Sequence, residues 1–170
     1  MRKSVIAASA MLALGLTAAV PAVAQDDALV TFQVLAPKLA LDLAAATLDA
    51  CAQEGYQVAV AVVDRFGVPQ ALIRDRFAGP HTPETAIRKA WTAVSFRTDT
   101  LQLDSNLGVP GDATFGARGI PGALVLGGGV LIEVTGQAVG AIGVSGAPSP
   151  QADDVCARAG LSAIEDRLPW

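Results

Sequence analysis

The sequence has little of what most metal and catalytic sites are made from. Its 170 residues include one histidine and two cysteines. The cysteines, Cys51 and Cys156, form no CxxC pair, so together with His81 they do not make a recognisable zinc pattern. Ser145 stands in the segment GVSG rather than in a G-x-S-x-G motif, which disfavours a serine hydrolase. The glycine-rich segments 127–129 and 140–146 have neither the spacing nor the lysine of a phosphate-binding loop, which excludes the common nucleotide motifs.

Positive charge is also scarce. The chain has 12 lysine and arginine residues against 16 aspartate and glutamate residues, which gives a net charge of −4. An acidic protein repels phosphate backbones and anionic lipid surfaces, so we expect neither nucleic acid nor an anionic membrane as a partner. Beyond the N-terminal segment no apolar run is long enough to span a bilayer, so no membrane insertion is expected once that segment is removed.

The N-terminal segment has the three parts of a secretory signal peptide. A basic start precedes an uncharged run over residues 4–20, and small residues stand at Ala22 and Ala24. The alternative is a membrane anchor, but the run is shorter than the roughly 20 residues that a spanning helix needs. We therefore expect cleavage of residues 1–24. Residues 25–170 are then one domain of 170 − 24 = 146 residues, either periplasmic or secreted.

An oxidising compartment changes what the two cysteines imply. The default for an even pair there is a disulfide, so we predict a bond between Cys51 and Cys156. This bond requires the first and last helices of the domain to lie side by side. Two buried free thiols are the alternative.

Hydrophobic periodicity and turn residues divide the chain into helices and short strands. Helices are predicted at residues 33–53, 82–96, 99–106 and 149–166. Strands are predicted at residues 57–64, 69–76, 123–126, 130–134 and 138–145. Short turns between segregated strands favour antiparallel pairing. The predicted fold class is therefore α+β, with a five-stranded antiparallel sheet flanked by helices in the order α-β-β-α-(α)-β-β-β-α.

Local signals refine this assignment. Pro37 fits the first turn of the first helix, and Thr82 and Ser149 are the expected N-caps of the second and last helices. The strand core VAVAVV is apolar at every position, which predicts cover on both of its faces.

A set of motifs resembles one known family. The segments VAVAVVDRFG, RxRFAGPHT, AxxKAxTAxxFRTxT, GGGV, VGAIGVSGA and DDxxCAxAGL together resemble the GlcG/HbpS-like family of heme-binding proteins. The match runs from about residue 35 to residue 161. The resemblance implies a profilin-like fold, which agrees with the assignment from periodicity. It also implies heme or a related tetrapyrrole as ligand, and assembly into homo-oligomers.

His81 is the first candidate for chemistry. As the sole histidine it is a candidate ligand of heme iron, and it stands beside a helix start that favours a propionate. Glu84 follows three residues later on the same helical face, so the two side chains are also a candidate site for a divalent metal ion or iron. The alternative is a surface histidine with a carboxylate that satisfies the helix dipole.

Basic and aromatic side chains cluster near His81. Arginine favours bidentate contact with carboxylates, so an anionic ligand suits this cluster, whereas pairing with nearby aspartates and glutamates is the alternative. Phenylalanines on loops are candidates for lining an apolar cleft. The candidate ligand-binding residues are His81, Thr82, Arg74, Arg76, Arg88, Lys89, Phe77 and Phe115. The acids Asp153 and Asp154 open the last helix, which is their ordinary place, and receive no ligand-binding role.

Three functions fit these observations. The first is an exported heme- or tetrapyrrole-binding protein that acts as a carrier, scavenger or sensor. The second is a structural or partner-binding homo-oligomer without a ligand. The third is a metal-dependent enzyme of small-molecule metabolism that uses His81 and Glu84. No catalytic residue is assigned.

Overall fold

The fold is organised around a four-stranded antiparallel sheet in the order β2-β1-β4-β3. The computed structural model describes residues 29–169, so the expected signal peptide over residues 1–24 lies outside the described residues. The strands are β1 (Ala59–Asp64), β2 (Pro69–Arg74), β3 (Gly129–Val134) and β4 (Gln137–Ser145). The helices are α1 (Pro37–Gln53), α2 (Thr82–Phe96), α3 (Thr100–Asn106) and α4 (Pro150–Ser162). Short 3-10 helices occupy Phe115–Gly119 and Glu165–Arg167. Among the described helices, none combines the length and the apolar character that crossing a bilayer requires.

Both faces of the sheet are covered, which explains the unbroken apolar run in β1. Val60 and Val62 point into a core shared with α1 and α4. Ala59 and Ala61 point to the other face, where they contact α2. Successive side chains of a strand alternate between faces, so Val60 and Val62 fill the α1 and α4 side, whereas Ala59, Ala61 and Val63 face α2. The predicted two-sided cover is confirmed.

The approach of α2 to the sheet depends on small residues. A Cβ atom on Gly143 of β4 would collide with the backbone carbonyl of Ala86 in α2. The buried face of α2 carries Ala86, Ala90 and Ala93, all without exposed surface. Lys89 lies on the same face and is 1% exposed. The buried face of α2 is therefore built from alanines around one lysine. Trp91 of the same helix is half-buried.

The first and last helices lie side by side, as the disulfide prediction required. Cys51 of α1 and Cys156 of α4 form a disulfide, with their Cα atoms 5.4 Å apart. Gly160 of α4 contacts the side chain of Thr47, and a Cβ atom at that position would collide with it. The Thr47 hydroxyl donates to the Leu43 carbonyl at 2.8 Å, so this buried polar group is satisfied within α1.

The expected strand at residues 123–126 is wrong, and the sheet has four strands rather than five. The outer edge of β3 is occupied by side chains, because Asp99 Oδ1 and Thr100 Oγ1 accept the backbone N–H groups of Leu131 and Gly129, each at 2.8 Å. The residue 124 N–H donates instead to Thr92 Oγ1 of α2 at 2.8 Å. This N–H therefore has its hydrogen-bond partner in a side chain of α2 and does not need one in a neighbouring strand.

Several element boundaries differ by a few residues from the prediction. The first helix begins at Pro37 rather than at residue 33, and Pro37 takes its first position as expected. Ser149 caps the last helix by accepting the Ala152 N–H at 3.1 Å, which confirms its predicted role. The last helix ends at Ser162. At the second helix His81, not Thr82, is the N-cap, and its side chain makes no capping hydrogen bond.

Candidate functional site

An open cleft of about 610 Å³ lies where the start of α2 meets the two loops beside it. One wall is the segment that precedes α2 and carries Phe77 and His81. The opposite wall is the loop of residues 146–149 between β4 and α4. Leu124 and Leu126 add apolar surface. A volume of this size is typical of sites for small organic ligands.

The floor of the cleft contains a buried ion pair. Lys89 Nζ of α2 donates to Asp153 Oδ2 of α4 at 2.6 Å and to the Val144 carbonyl of β4 at 3.0 Å. Lys89 is 1% exposed and Asp153 is 4% exposed. The pair therefore joins two helices and a strand at one point beneath the cleft.

Burial acts on the protonation of both partners. It lowers the pKa of Lys89, and the charge and hydrogen bond of Asp153 offset part of that change. Burial also raises the pKa of Asp153, against the effect of Lys89 and of backbone N–H groups. Each charge is thus maintained by its partner, and removal of either one would leave the other charge buried alone.

Asp153 also fixes the loop that forms one wall. Its Oδ1 atom accepts the Ala147 N–H at 2.9 Å. Ser149 holds the other end of the same loop as the N-cap of α4. The loop over residues 146–149 is therefore anchored at both ends, which gives the cleft a preformed wall rather than a mobile one.

Five predicted site residues line the cleft: Phe77, His81, Thr82, Arg88 and Lys89. His81 and Phe77 are exposed at its rim. The Thr82 hydroxyl donates to the Gly79 carbonyl at 2.7 Å, which stabilises the bend into α2. The half-buried Arg88 guanidinium donates from Nη2 to the Ala123 carbonyl at 2.9 Å, and among the described residues it pairs with no carboxylate. A positive charge therefore stands in the wall without a counter-charge.

Other predicted site residues lie away from the cleft. Arg74 donates to the carbonyls of residues 76 and 78, so it holds the loop before α2. The Arg76 guanidinium lies over the ring of Phe77, 5.3 Å from its centroid. Phe115 is covered in the same way by Arg118, at 5.5 Å. The lining of the cleft includes none of these three arginines, and it includes neither Glu84 nor Phe115.

The His81 and Glu84 pair has few companions for a metal ion. Within the part of the chain that the structure describes, no three side chains of histidine, cysteine, aspartate or glutamate lie close enough together to hold a metal. A metal at His81 and Glu84 would therefore depend on two protein ligands, both at an exposed helix start.

Sequence reasoning missed two functional candidates in the floor. Asp153 was assigned to the ordinary stabilisation of a helix start, but it is buried and bound to Lys89. Ser145 ends β4, lines the cleft and is 5% exposed. Asp154, beside Asp153, is also buried and is paired with Arg158 at 2.7 Å. No local pattern in the sequence marks either acid as buried, because acids at a helix start are ordinarily exposed.

Helices on both faces of a small antiparallel sheet, with a ligand-sized cleft at the start of α2, define a small α+β domain. A family model described as haem degrading protein HbpS-like matches residues 35–162. The chain belongs to this family, the GlcG/HbpS-like family that the motifs indicated.

Known proteins resemble the chain in both sequence and structure. The crystal structure of a double mutant of HbpS from Streptomyces reticuli is 37% identical with a TM-score of 0.76, and the match covers 87% of this chain and 99% of that one. The crystal structure of a PduOC:heme complex is 30% identical with a TM-score of 0.71, covering 77% of this chain and 95% of that one.

A relative with a named activity is matched over part of its length. The corrinoid adenosyltransferase PduO of Salmonella typhimurium, strain LT2, is 33% identical over 124 residues, which are 72% of this chain and 36% of the relative. The chain thus spans about a third of that relative's length.

Proposed function

We propose that this protein is exported and binds heme or a related tetrapyrrole in the cleft at the start of α2. The observation that carries the proposal is that the exposed His81 and the uncompensated Arg88 line the same preformed cleft of about 610 Å³. A solved neighbour of the same fold, 30% identical to the chain, is a heme complex, which supports the ligand class.

Each part of a tetrapyrrole has a matching group in the cleft. The apolar side chains of Phe77, Leu124 and Leu126 suit a flat hydrophobic macrocycle. The Arg88 guanidinium suits a propionate, because arginine forms charge-assisted hydrogen bonds to carboxylates. His81 is the one histidine in the chain, and its imidazole suits iron. Lys89 is not needed for this role because Asp153 already compensates its charge.

Export and self-association complete the proposal. A disulfide between buried cysteines is typical of an oxidising compartment, which supports a periplasmic or secreted location. Exposed apolar side chains at the β1–β2 edge, Phe66 and Leu72, give a surface that suits a second copy of the chain.

A hemin titration of the purified protein tests the ligand. We expect saturable growth of a Soret band in the wild type and about tenfold weaker binding for His81→Ala and for Arg88→Met, since contacts to charged groups and iron are strong. Arg97→Met is the matched control, because Arg97 is an exposed arginine at the other end of α2 and does not line the cleft.

The result of this titration separates the cleft from general basic attraction. Equal weakening by Arg97→Met and Arg88→Met would mean that hemin binds to surface charge. A flat titration of the wild type would end the proposal.

A further inference from the structure

The floor of the cleft has polar groups that the tetrapyrrole proposal does not use. Ser145 is 5% exposed and lines the cleft, and among the described residues its hydroxyl has no hydrogen-bond partner. Among the described residues, the fully buried side-chain atoms that lack a partner are Arg118 Nε and Asp154 Oδ1, so the Ser145 hydroxyl is reached from the cleft. A hydroxyl that opens into a cleft without a partner in the protein is available to a ligand atom.

Strand geometry explains why this hydroxyl lies in the floor. Ala141 packs with α2 on one face of β4, and Val144 packs with α1 and α4 on the other. Because side chains alternate along a strand, Ser145 lies on the α2 face, next to the lysine of that helix. Lys89 Nζ binds the Val144 carbonyl, which immediately precedes Ser145 in the chain.

Lys89 has a second free donor at the same place. A lysine ammonium carries three N–H groups, and two of them have acceptors, Asp153 Oδ2 and the Val144 carbonyl. Lys89 lines the cleft, and a ligand atom in the floor is the acceptor that we infer for its third N–H. The floor thus offers two hydrogen-bond donors, one from Lys89 and one from the Ser145 hydroxyl.

The charges of the floor decide which kind of acceptor suits these donors. Lys89 and Asp153 cancel, so an anion would be desolvated there without a net attractive charge. A neutral carbonyl oxygen has two lone pairs and can accept from both donors. The Asp153 carboxylate accepts from Lys89 and from the backbone of Ala147 and Gly146, which leaves about one lone pair for an N–H beside that carbonyl.

We propose that Ser145, Lys89 and Asp153 form a subsite for the carbonyl and N–H of a neutral amide or lactam on a small ligand. The subsite lies beneath the Arg88 and His81 wall and does not require that a tetrapyrrole occupies the cleft. Within the same cleft it would select a ligand by hydrogen-bond pattern, while Arg88 would select by charge.

The test uses 2-pyrrolidinone, a neutral lactam, as the probe. Backbone amide NMR signals of Ser145, Gly146 and Ala147 are followed in the full chain without its signal peptide during titration. We expect saturable shifts in the wild type and about fivefold weaker binding for Ser145→Ala, since one hydrogen bond is lost. Ser105→Ala removes an exposed hydroxyl of α3 and is expected to change nothing. Acetate is expected to bind far more weakly than the lactam at these signals.

Three results would overturn the inference. The first is a wild type whose signals do not saturate with 2-pyrrolidinone. The second is a Ser145→Ala variant with unchanged affinity. The third is acetate binding as tightly as the lactam, which would mean that the floor recognises charge. Because no tetrapyrrole is present, failure here is distinct from a flat hemin titration.

Discussion

Replacement of Lys89 by methionine tests the buried ion pair most directly. Methionine has a similar length and no charge, so it fills most of the space of the lysine stem and removes the ammonium. The change deletes the 2.6 Å contact with Asp153 and the 3.0 Å hydrogen bond to the Val144 carbonyl. The Asp153 carboxylate is then left 4% exposed with no opposite charge beside it.

The expected loss of stability follows from that isolated charge. Breaking a buried ion pair by removing one partner costs about 3–5 kcal/mol in the free energy of unfolding, because the remaining charge is desolvated without compensation. A domain of this size is stable by about 5–15 kcal/mol, so Lys89→Met removes a large part of the total. The pKa of Asp153 rises further in the variant, since the lysine that opposes the effect of burial is gone.

Urea unfolding followed by far-UV circular dichroism measures this loss. Lys38→Met is the matched control, because Lys38 forms a pair with Asp42 at 3.1 Å while its side chain is 83% exposed. An exposed pair one helical turn apart contributes about 0.3–0.5 kcal/mol. The variant Lys89→Met with Asp153→Asn completes a double-mutant cycle, in which we expect a coupling energy of about 2 kcal/mol or more.

A small loss would refute the reasoning. If Lys89→Met destabilised the domain by no more than Lys38→Met does, the ammonium would not compensate Asp153 in the folded state. Additive effects of Lys89→Met and Asp153→Asn would lead to the same conclusion, because residues that form one buried pair do not act independently.

The remaining predictions concern close packing and pH. Gly143→Ala places a Cβ atom against the backbone of α2, so we expect urea unfolding to show a loss of about 1–3 kcal/mol in the free energy of unfolding. Gly116→Ala is the control, because a Cβ atom at Gly116 meets nothing within 4 Å. Equal stability of the two variants would contradict the close approach of α2. Hydrogen bonds from Arg167 and, to a smaller extent, from Lys38 lower the pKa of Asp42 in the folded protein below its ordinary value of 3.8. The ionised Asp42 therefore stabilises the fold above pH 3.8, and this contribution is lost as the pH falls through the lowered pKa. Asp42→Asn is therefore expected to be less stable than the wild type in urea unfolding at neutral pH, and the difference is expected to vanish in strong acid. A difference that persists in acid would exclude the ion pairs of Asp42 as its cause.

Much of the fold follows from local patterns in the sequence. Ser149 marks the start of α4, because its side chain accepts a backbone N–H that a helix start leaves free. Pro37 fits the first turn of α1, because it lacks the N–H that such a position leaves unpaired, although the predicted start was four residues too early. The apolar run of β1 predicted cover on both faces. The sequence does not show that residues 123–126 form a loop, because their short apolar pattern fits a strand equally well.

The candidate site was predicted in part. The sequence places His81 and Arg88 near one helix start, and both line the cleft. It gives no sign that Arg74 is turned toward its own loop. The side chains that a loop arginine reaches depend on the path of the loop, which no local periodicity encodes.

The amino-acid sequence by itself determined the family, the order of most helices and strands, and the two-sided burial of β1, since these depend on neighbours along the chain. The tertiary structure decided the floor of the cleft. Lys89 and Asp153 are 64 residues apart, and they meet because α2 and α4 converge at the end of β4. The burial that makes this pair matter arises only when three separate elements exclude water from the same point.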